Sequence, residues 1–312
     1  MTKVKASNQH IPVLLEKSID YLVTDINGTY IDGTYGRGGH SDLILNKLGE
    51  NGSLFAFDKD PDAEKNIQKK HLSDIRFKFI RAGFENINDK KNNEKYNSNL
   101  IGILVDLGIS SPQIDNPCRG FSFQKDGDLD MRFDNTKGKS AFDVLNYYSI
   151  EQLIKIFKEY GEVESPRRIA EKIVLHREKS QIRTTKELAN ILSTNHFKLK
   201  IHPATKVFQA LRIEVNDELN NLTKFLKEAL EIISIGGRIC VISFHSLEDR
   251  IVKRFISEHS NINKELLQLR EVPKKFQPKV KKVSNLIRPS DIEITNNPRS
   301  RSARLRVFEK VA

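Results

Sequence analysis

Cysteine is scarce in this sequence, and its scarcity excludes two kinds of stabilisation. The 312 residues contain only two cysteines, Cys118 and Cys240, which stand far apart. A disulfide framework or a cluster of thiolate metal ligands needs more, so neither is expected, and we predict no metal site. Cys240 stands in an apolar stretch and is expected to be a buried small hydrophobic residue.

Long hydrophobic runs and targeting segments are also lacking. No apolar run approaches the ~18 residues of a membrane-spanning helix, and the polar residues 1–10 do not have the pattern of a signal peptide. The sequence therefore predicts a cytoplasmic protein without a membrane partner. With 38% hydrophobic residues, the chain can still bury a core, in one large domain or two modest ones.

Positive charge is concentrated toward the carboxyl end. The net charge is +11, and residues 270–312 hold twelve Lys or Arg against four Asp or Glu. The segment Lys274–Lys282 is either a solvated basic loop or a contact for nucleic acid. Arg299, Arg301 and Arg304 stand among small residues, and we predict that they contact RNA phosphates.

Residues 28–58 have the pattern of a nucleoside-cofactor site. A short apolar strand ends at Asp32, and the glycine cluster Gly36–Gly39, an amphipathic run and a second strand ending at Asp58 follow. Glycine lets the backbone turn sharply and approach a ligand closely, and the last carboxylate can accept both hydrogen bonds of a ribose diol. A glycine-rich turn in an ordinary α/β domain is the alternative.

The same stretch distinguishes between cofactors. A dinucleotide site needs glycines spaced G-x-G-x-x-G so that a helix N-terminus faces a pyrophosphate, and Gly36, Gly38 and Gly39 do not fit that spacing. Asp32 also places an acid just before the glycines, which suits a cationic ligand. S-adenosylmethionine carries an ammonium and a sulfonium and no phosphate, and it is the predicted cofactor.

The apolar runs predict an α/β fold with a parallel sheet. The run Leu100–Asp106 is apolar up to its final acid, which is typical of a central strand buried on both faces. Two late strands, Leu267–Val272 and Ala303–Phe308, are expected to pair as a hairpin, and a long helix is expected over Pro203–Ile235. The other predicted strands are Thr29–Asp32, Leu54–Asp58, Arg76–Ile80 and Arg238–Phe244.

A helical segment in the middle of the chain interrupts the series of predicted strands, which indicates an inserted domain. Three helices are predicted between residues 149 and 193. We therefore predict a sheet domain formed by residues 1–116 and 202–312, with a small helical domain inserted over residues 117–201.

Polar and aromatic residues follow the predicted strands at their carboxyl ends, where open α/β sheets place their sites. Each has a structural alternative: Phe84 can pack the core, and His245 can be a hydrogen-bonded structural histidine. Phe121 and Phe123 in the insertion can stack on a target base or pack the insertion. The candidates after strands three, four and five are Phe84, Asp106, Ser110, Ser111, Gln113 and His245.

Residues 110–113 resemble, loosely, the Asp/Ser-Pro-Pro-aromatic loop of amino-group methyltransferases. That loop hydrogen-bonds an exocyclic amine, whose lone pair is otherwise delocalised into the ring. The second proline and the aromatic residue are missing here. Because the ends of strands four and five are adjacent, Ser110, Ser111 and His245 are the predicted catalytic residues nearest the amine.

Several long motifs resemble the bacterial MraW (RsmH) family of small-subunit rRNA methyltransferases. The resemblance covers nearly the whole chain, and motifs of this length are very specific. The motifs are HIPVL at 10–14, DGTYGRGGHS at 32–41, DLGISSPQ at 106–113, RGFSF at 119–123, DLDMRFD at 128–134, HPATK at 202–206, SFHSLEDR at 243–250 and NPRSRSA at 297–303.

The resemblance implies a class I S-adenosylmethionine-dependent methyltransferase fold, Rossmann-like, with a mainly parallel seven-stranded sheet and an inserted helical domain that recognises the substrate. It implies methylation at N4 of a decoding-centre cytidine, position 1402, of 16S rRNA, with the 30S subunit as the expected partner. It also implies cofactor contacts, matched by motif, from Gly38, Gly39, His40, Asp58, Phe84, Asp106 and Gln113.

Two other functions stay open at this point. One is an amino-methyltransferase that acts on DNA or protein, and the other is an RNA-binding module with a degenerate pocket and no turnover. Binding of S-adenosylmethionine separates an enzyme from such a module. Both a homodimer and a monomer are compatible with the sequence, and so are naked rRNA and the assembled 30S subunit as substrate.

Overall fold

The computed structural model of the chain describes residues 12–93, 96, 99–193, 202, 204–262, 273 and 276–312. The chain divides into a sheet unit, Met1–Gly108 with Leu222–Ala312, and a helical unit, Ile109–Asn221. The helical unit is wider at both ends than the predicted insertion of residues 117–201. One reason is that helix Ala204–Asn216 packs against helices at 141–147 and 150–159 and so belongs with them.

Parallel strands form most of the sheet. In the described part of the chain the strands are β1 (Thr29–Asp32), β2 (Ser53–Phe57), β3 (Phe77–Ile80), β4 (Leu100–Asp106), β5 (Arg238–Ser243), β6 (Val280–Lys282) and β7 (Arg304–Lys310). Their order is β3-β2-β1-β4-β5-β7-β6, with β1 to β5 parallel and β7 antiparallel to both β5 and β6. This topology confirms the predicted class I, Rossmann-like methyltransferase fold.

Helices connect the strands and make up most of the helical unit. They are α1 (Leu15–Leu22), α2 (Gly39–Lys47), α3 (Pro61–Lys65), α4 (Lys69–Leu72), α5 (Lys90–Asn93), α6 (Ser111–Asp115), α7 (Ala141–Tyr147), α8 (Ile150–Glu159), α9 (Pro166–Arg177), α10 (Thr185–Leu192), α11 (Ala204–Asn216), α12 (Glu218–Ile232), α13 (Ser246–Ser260) and α14 (Asp291–Asn296). Within the described ranges, none of these helices is both long enough and apolar enough to span a membrane.

The two faces of the sheet carry separate apolar cores. On β4, Ile103 and Val105 pack into one core while Leu104 packs into the other, and all three are fully buried. This alternation is why the strand reads as a continuous apolar run. Cys240 on β5 is also fully buried, as predicted, and burial raises the pKa of its thiol to about 12.

The prediction of one long helix over Pro203–Ile235 is wrong. The segment contains two helices, α11 and α12, because Asp217 adopts a left-handed backbone conformation with φ of 51°. Short polar residues tolerate this conformation better than others. The adjoining Asn216 side chain accepts a hydrogen bond from Phe133 N at 2.7 Å and donates one to Met131 O at 2.7 Å, which fixes the break.

The late hairpin differs from the prediction in one strand. The predicted strand Ala303–Phe308 is confirmed as β7, but its hairpin partner is β6, which lies inside the predicted basic loop Lys274–Lys282. The other predicted strand, Leu267–Val272, falls outside the described residues. Val280 is buried, while Lys281 and Lys282 are exposed. Because only one of the three strand residues is apolar, the sequence pattern did not indicate this short strand.

Candidate active site

Asp32 ends β1 as a fully buried carboxylate that holds the turn after the strand. Its Oδ2 accepts a hydrogen bond from Ser41 Oγ at 2.6 Å, and its Oδ1 accepts one from Thr34 N at 3.1 Å. Burial raises the pKa of Asp32, and these two hydrogen bonds oppose the rise. Both oxygens are engaged, so Asp32 shapes the glycine turn and contributes negative charge beside it.

Asp58, the predicted ribose acceptor, stands directly after β2 and faces the glycine turn. Its Oδ2 accepts a hydrogen bond from Gly36 N at 2.8 Å and its Oδ1 accepts one from Asp60 N at 2.9 Å. Gly36 has φ of 52°, a conformation that glycine adopts without strain. Burial raises the pKa of Asp58 to about 6, with a smaller contribution from the charges of Asp60 and Asp32, while the two hydrogen bonds oppose the rise.

Asp106 ends β4 and has an unsatisfied oxygen. Its backbone N donates to Thr34 Oγ1 at 2.7 Å, which ties it to the turn after β1. Its side-chain Oδ1 is buried and has no hydrogen-bond partner among the described residues. Burial raises the pKa of Asp106 well above its usual range, and the charges of Asp32 and Glu248 raise it further. A buried oxygen of this kind calls for a donor, ideally a cationic one.

Phe84 combines core packing with exposure at the end of β3. Its ring meets Phe225 edge-on, with centroids 5.3 Å apart, and the side chain is half-buried. A methyl group built on Gly33 would lie 3.0 Å from Phe84 Cβ, so Phe84 adjoins the turn after β1. The structure thus brings the ends of β1, β2, β3 and β4 together at one edge of the sheet.

Gly39 and His40, predicted to contact the cofactor, pack against the segment before α1. A methyl group built on Gly39 would overlap Pro12 Cγ. The buried His40 places Nε2 3.1 Å from Val13 O, so this nitrogen donates and the neutral ring carries its proton there. The close approach of Pro12 is one physical reason for glycine at this position.

Tyr35, inside the glycine motif, has a role that sequence reasoning missed. Its hydroxyl lies 3.0 Å from His71 Nδ1, and His71 Nε2 lies 3.3 Å from Asp42 Oδ1. A methyl group built on Gly38 would collide with the Tyr35 ring. Tyr35 therefore packs against the glycine turn at Gly38. No local sequence pattern indicates that His71 is its hydrogen-bond partner.

His245, a predicted catalytic residue, is the N-cap of α13. Its Nδ1 accepts a long hydrogen bond of 3.4 Å from Glu248 N. Since Nδ1 accepts, Nε2 carries the proton in the neutral ring. Nε2 lies 3.1 Å from Glu248 Oε1, but at an angle that makes no hydrogen bond, and it has no other partner among the described residues. His245 thus has the structural role of capping α13 through Nδ1, while Nε2 is available to a ligand.

Ser110, Ser111 and Gln113 lie in the helical unit, at the start of α6. Gln113 Oε1 accepts a hydrogen bond from Ser110 N at 2.9 Å, and the Gln113 side chain is buried. Their predicted roles beside the amine and the cofactor stay predictions.

The predicted RNA contact Arg304 is engaged with the protein itself. Its Nη1 lies 3.0 Å from Asp249 Oδ2, and Arg306 Nε lies 2.6 Å from Asp249 Oδ1. Burial by itself raises the pKa of Asp249, but the hydrogen bonds and charges of the two arginines outweigh it, so the pKa is lowered. Arg299 and Arg301 are exposed on the turn Pro298–Ser302.

Phe121 and Phe123 pack inside the helical unit. Phe121 is buried and stacks on Phe133 with centroids 5.7 Å apart, and Phe123 meets Phe208 with centroids 5.0 Å apart. Of the two predicted roles, the structure shows the packing one.

Known proteins similar to this chain agree with the motifs. The family model described as the MraW methylase family matches residues 7–311. A ribosomal RNA small subunit methyltransferase H from Coxiella burnetii is 44% identical over 308 residues, covering 97% of this chain and 99% of the relative. The protein of that name from Idiomarina loihiensis is 44% identical over 313 residues, covering 99% of each chain.

Among solved structures, a Streptococcus mutans protein described as a candidate methyltransferase in complex with SAH has a TM-score of 0.44 and 14% identity. The alignment covers 97% of this chain and 100% of that one, and so distant a likeness carries no argument. The family model and the relatives do: this chain belongs to the MraW methylase family, as its motifs predicted.

Proposed function

We propose that this protein transfers a methyl group from S-adenosylmethionine to N4 of the decoding-centre cytidine, position 1402, of 16S rRNA in the cytoplasm. Family membership and the names of its relatives support methylation of small-subunit rRNA. The choice of N4 and of this cytidine comes from the motif resemblance. The carboxylates at the ends of β1, β2 and β4 support the assignment of S-adenosylmethionine as the cofactor.

The observation that carries the cofactor assignment is that Asp106 Oδ1 has no hydrogen-bond partner in the part of the chain that the structure describes. This oxygen lies among like charges, since Asp32 and Glu248 both raise the pKa of Asp106. A bound cation relieves that repulsion, whereas a pyrophosphate adds to it. The residues present therefore fit S-adenosylmethionine, which carries two cationic groups, better than a dinucleotide.

Each candidate residue has a task that suits its environment. Asp106 accepts a hydrogen bond from the cofactor's ammonium or its adenine amine. Asp58 accepts hydrogen bonds from the ribose hydroxyls with the lone pairs that Gly36 and Asp60 leave open. Phe84 flanks the adenine with the exposed part of its ring. S-adenosylmethionine, when bound, supplies an electrophilic methyl group on a sulfonium.

The remaining catalytic work is orientation. Holding two reactants in line contributes on the order of 7–11 kcal/mol, and the amine can release its proton after transfer. The Nε2 proton of His245 makes no hydrogen bond among the described residues, although Glu248 Oε1 lies 3.1 Å away, so it can donate one to the target base. In this tautomer that nitrogen cannot take a proton, so His245 acts as a positioning donor and not as a general base.

Replacement of Asp58 by alanine should weaken S-adenosylmethionine binding by ~10- to 100-fold, because two hydrogen bonds to a charged acceptor are lost. The affinity of the unchanged protein should also fall as the pH drops below about 6, since protonation of Asp58 removes an acceptor. Calorimetry from pH 5 to 8 checks both results. Glu64→Ala, an exposed acid on α3, is the control, and an Asp58→Ala variant with unchanged affinity would exclude the assignment.

Replacement of Arg299 and Arg301 together by alanine should weaken binding of the 30S subunit and lower the slope of log affinity against log salt by about 0.7–0.9 per lost phosphate contact. Arg304→Ala is the matched comparison. Because Arg304 pairs with Asp249, its loss should mainly lower the melting temperature. An unchanged salt slope in the double variant would show that neither arginine touches RNA.

Methyl transfer to four substrates tests the proposed function. The protein is incubated with radiolabelled S-adenosylmethionine and 30S subunits, naked 16S rRNA, DNA or ribosomal protein. We expect label in 16S rRNA, recovered as N4-methylcytidine. Label in DNA or protein would favour the alternative amino-methyltransferases, and no cofactor binding at all would favour an RNA-binding module.

A further inference from the structure

A long-range hydrogen bond joins the amino-terminal and carboxyl-terminal regions of the sheet unit. Leu14 N donates to Glu293 Oε1 at 2.7 Å, across 279 positions of the sequence. Glu293 lies in the first turn of α14, where its own backbone N donates to Ser290 Oγ at 3.2 Å. The carboxylate is therefore presented from a capped helix and not from a free loop.

Leu14 needs such a partner because its backbone is strained. It has φ of 51° and ψ of 30°, a left-handed conformation that a leucine rarely adopts, and its side chain is buried. It is also the N-cap of α1, and its side chain provides no cap hydrogen bond. The Glu293 carboxylate lies at this helix start, where negative charge is stabilising.

The turn at Leu14 holds the preceding residues against the glycine motif. Pro12 fills the space in which a side chain at Gly39 would lie, and Val13 O accepts the hydrogen bond of His40 Nε2. Gly39 and His40 begin α2, whose first ladder bond is Asp42 N to Gly38 O at 2.8 Å. Glu293 of α14 thus contacts Leu14, and the two residues before Leu14 contact Gly39 and His40 at the start of α2.

We propose that Glu293 is a positioning residue for the cofactor site, which keeps the Leu14 turn closed and thereby holds Pro12 and Val13 against Gly39 and His40. This inference rests on the proposed function, with Gly39 and His40 as predicted contacts of S-adenosylmethionine. It also gives the carboxyl-terminal region a second task, because α14 packs against the turn that carries Arg299 and Arg301.

Three variants of the full-length protein test it: Glu293→Ala, Glu293→Gln and Asp291→Ala. Gln keeps an acceptor oxygen for Leu14 N, while Asp291 is an exposed acid on the same helix. Glu293→Ala should raise the Kd for S-adenosylmethionine about tenfold, with kcat nearly unchanged. Glu293→Gln should restore most of the affinity, and Asp291→Ala should match the unchanged protein.

Amide hydrogen exchange without cofactor gives the second readout. Glu293→Ala should speed exchange at Leu14 and at residues 39–42, whereas Glu293→Gln should do so much less. A folded Glu293→Ala variant with unchanged exchange at residues 39–42 would overturn the proposal, and so would faster exchange there with unchanged affinity. If the unchanged protein binds no S-adenosylmethionine, the proposed function fails, and exchange at residues 39–42 still decides whether Glu293 holds this turn.

Discussion

Asp106→Asn is expected to weaken S-adenosylmethionine binding by about 10²-fold, because it removes the charged partner of a buried cationic or amine donor. The same change should raise the melting temperature of the free protein at pH 7 to 8. Asparagine is neutral, so it removes the cost of burying the Asp106 charge and also its repulsion by Asp32 and Glu248. This one substitution should therefore weaken cofactor binding while it increases the stability of the free protein.

The pH dependence of this effect follows from the raised pKa of Asp106. The folded protein holds the Asp106 proton more tightly than the unfolded chain does, so stability from this group is greatest below the ordinary carboxyl pKa. It is lost as pH rises toward the folded-state value. The stability gap between Asp106→Asn and the unchanged protein should therefore close near pH 4 and widen toward pH 8.

Thermal unfolding across this pH range and calorimetry of cofactor binding check the Asp106 prediction. Binding of a cationic group favours the carboxylate, so the unchanged protein should release protons on binding and Asp106→Asn should release fewer. Titrations in two buffers of different ionisation enthalpy measure this difference. Equal affinity and equal proton release in both proteins would remove Asp106 from the site.

His245→Ala is expected to lower the single-turnover rate of methylation about 10²-fold, as a lost positioning contact does, while leaving cofactor affinity intact. It should also lower the melting temperature, because His245 caps α13. The alanine variant alone therefore mixes two effects.

His245→Asn separates them. Asparagine is a good N-cap, so it should restore the melting temperature, but it lacks the Nε2 proton, which makes no hydrogen bond among the described residues. We expect the asparagine variant to be stable and still slow. Recovery of the rate together with the stability would show that His245 only caps its helix.

The parallel strands and the glycine turn could be predicted from sequence because local patterns encode them. An apolar run such as Leu100–Asp106 indicates a buried strand, and the acids at strand ends meet once the strands are parallel. The spacing of His245 and Glu248 also matched a capping box, a local signal that sequence reasoning overlooked.

Other features depend on contacts that no local pattern records. Tyr35 meets His71 across 36 positions, and Leu14 meets Glu293 across 279. The break at Asp217 is held by the Asn216 side chain against residues 131 and 133. For the same reason the sequence does not reveal that Arg304 pairs with Asp249.

Mass mapping of 16S rRNA is the direct test of whether this protein methylates the decoding-centre cytidine. Ribosomal RNA is compared from cells that lack this protein, from the same cells with the protein restored, and from cells with the Asp106→Asn variant. In the cells that lack the protein we expect one methyl group to be missing from N4 of the cytidine at position 1402. We expect it to return with the unchanged protein and to return little or not at all with the variant. A fully methylated cytidine in the cells that lack the protein would contradict the proposed function.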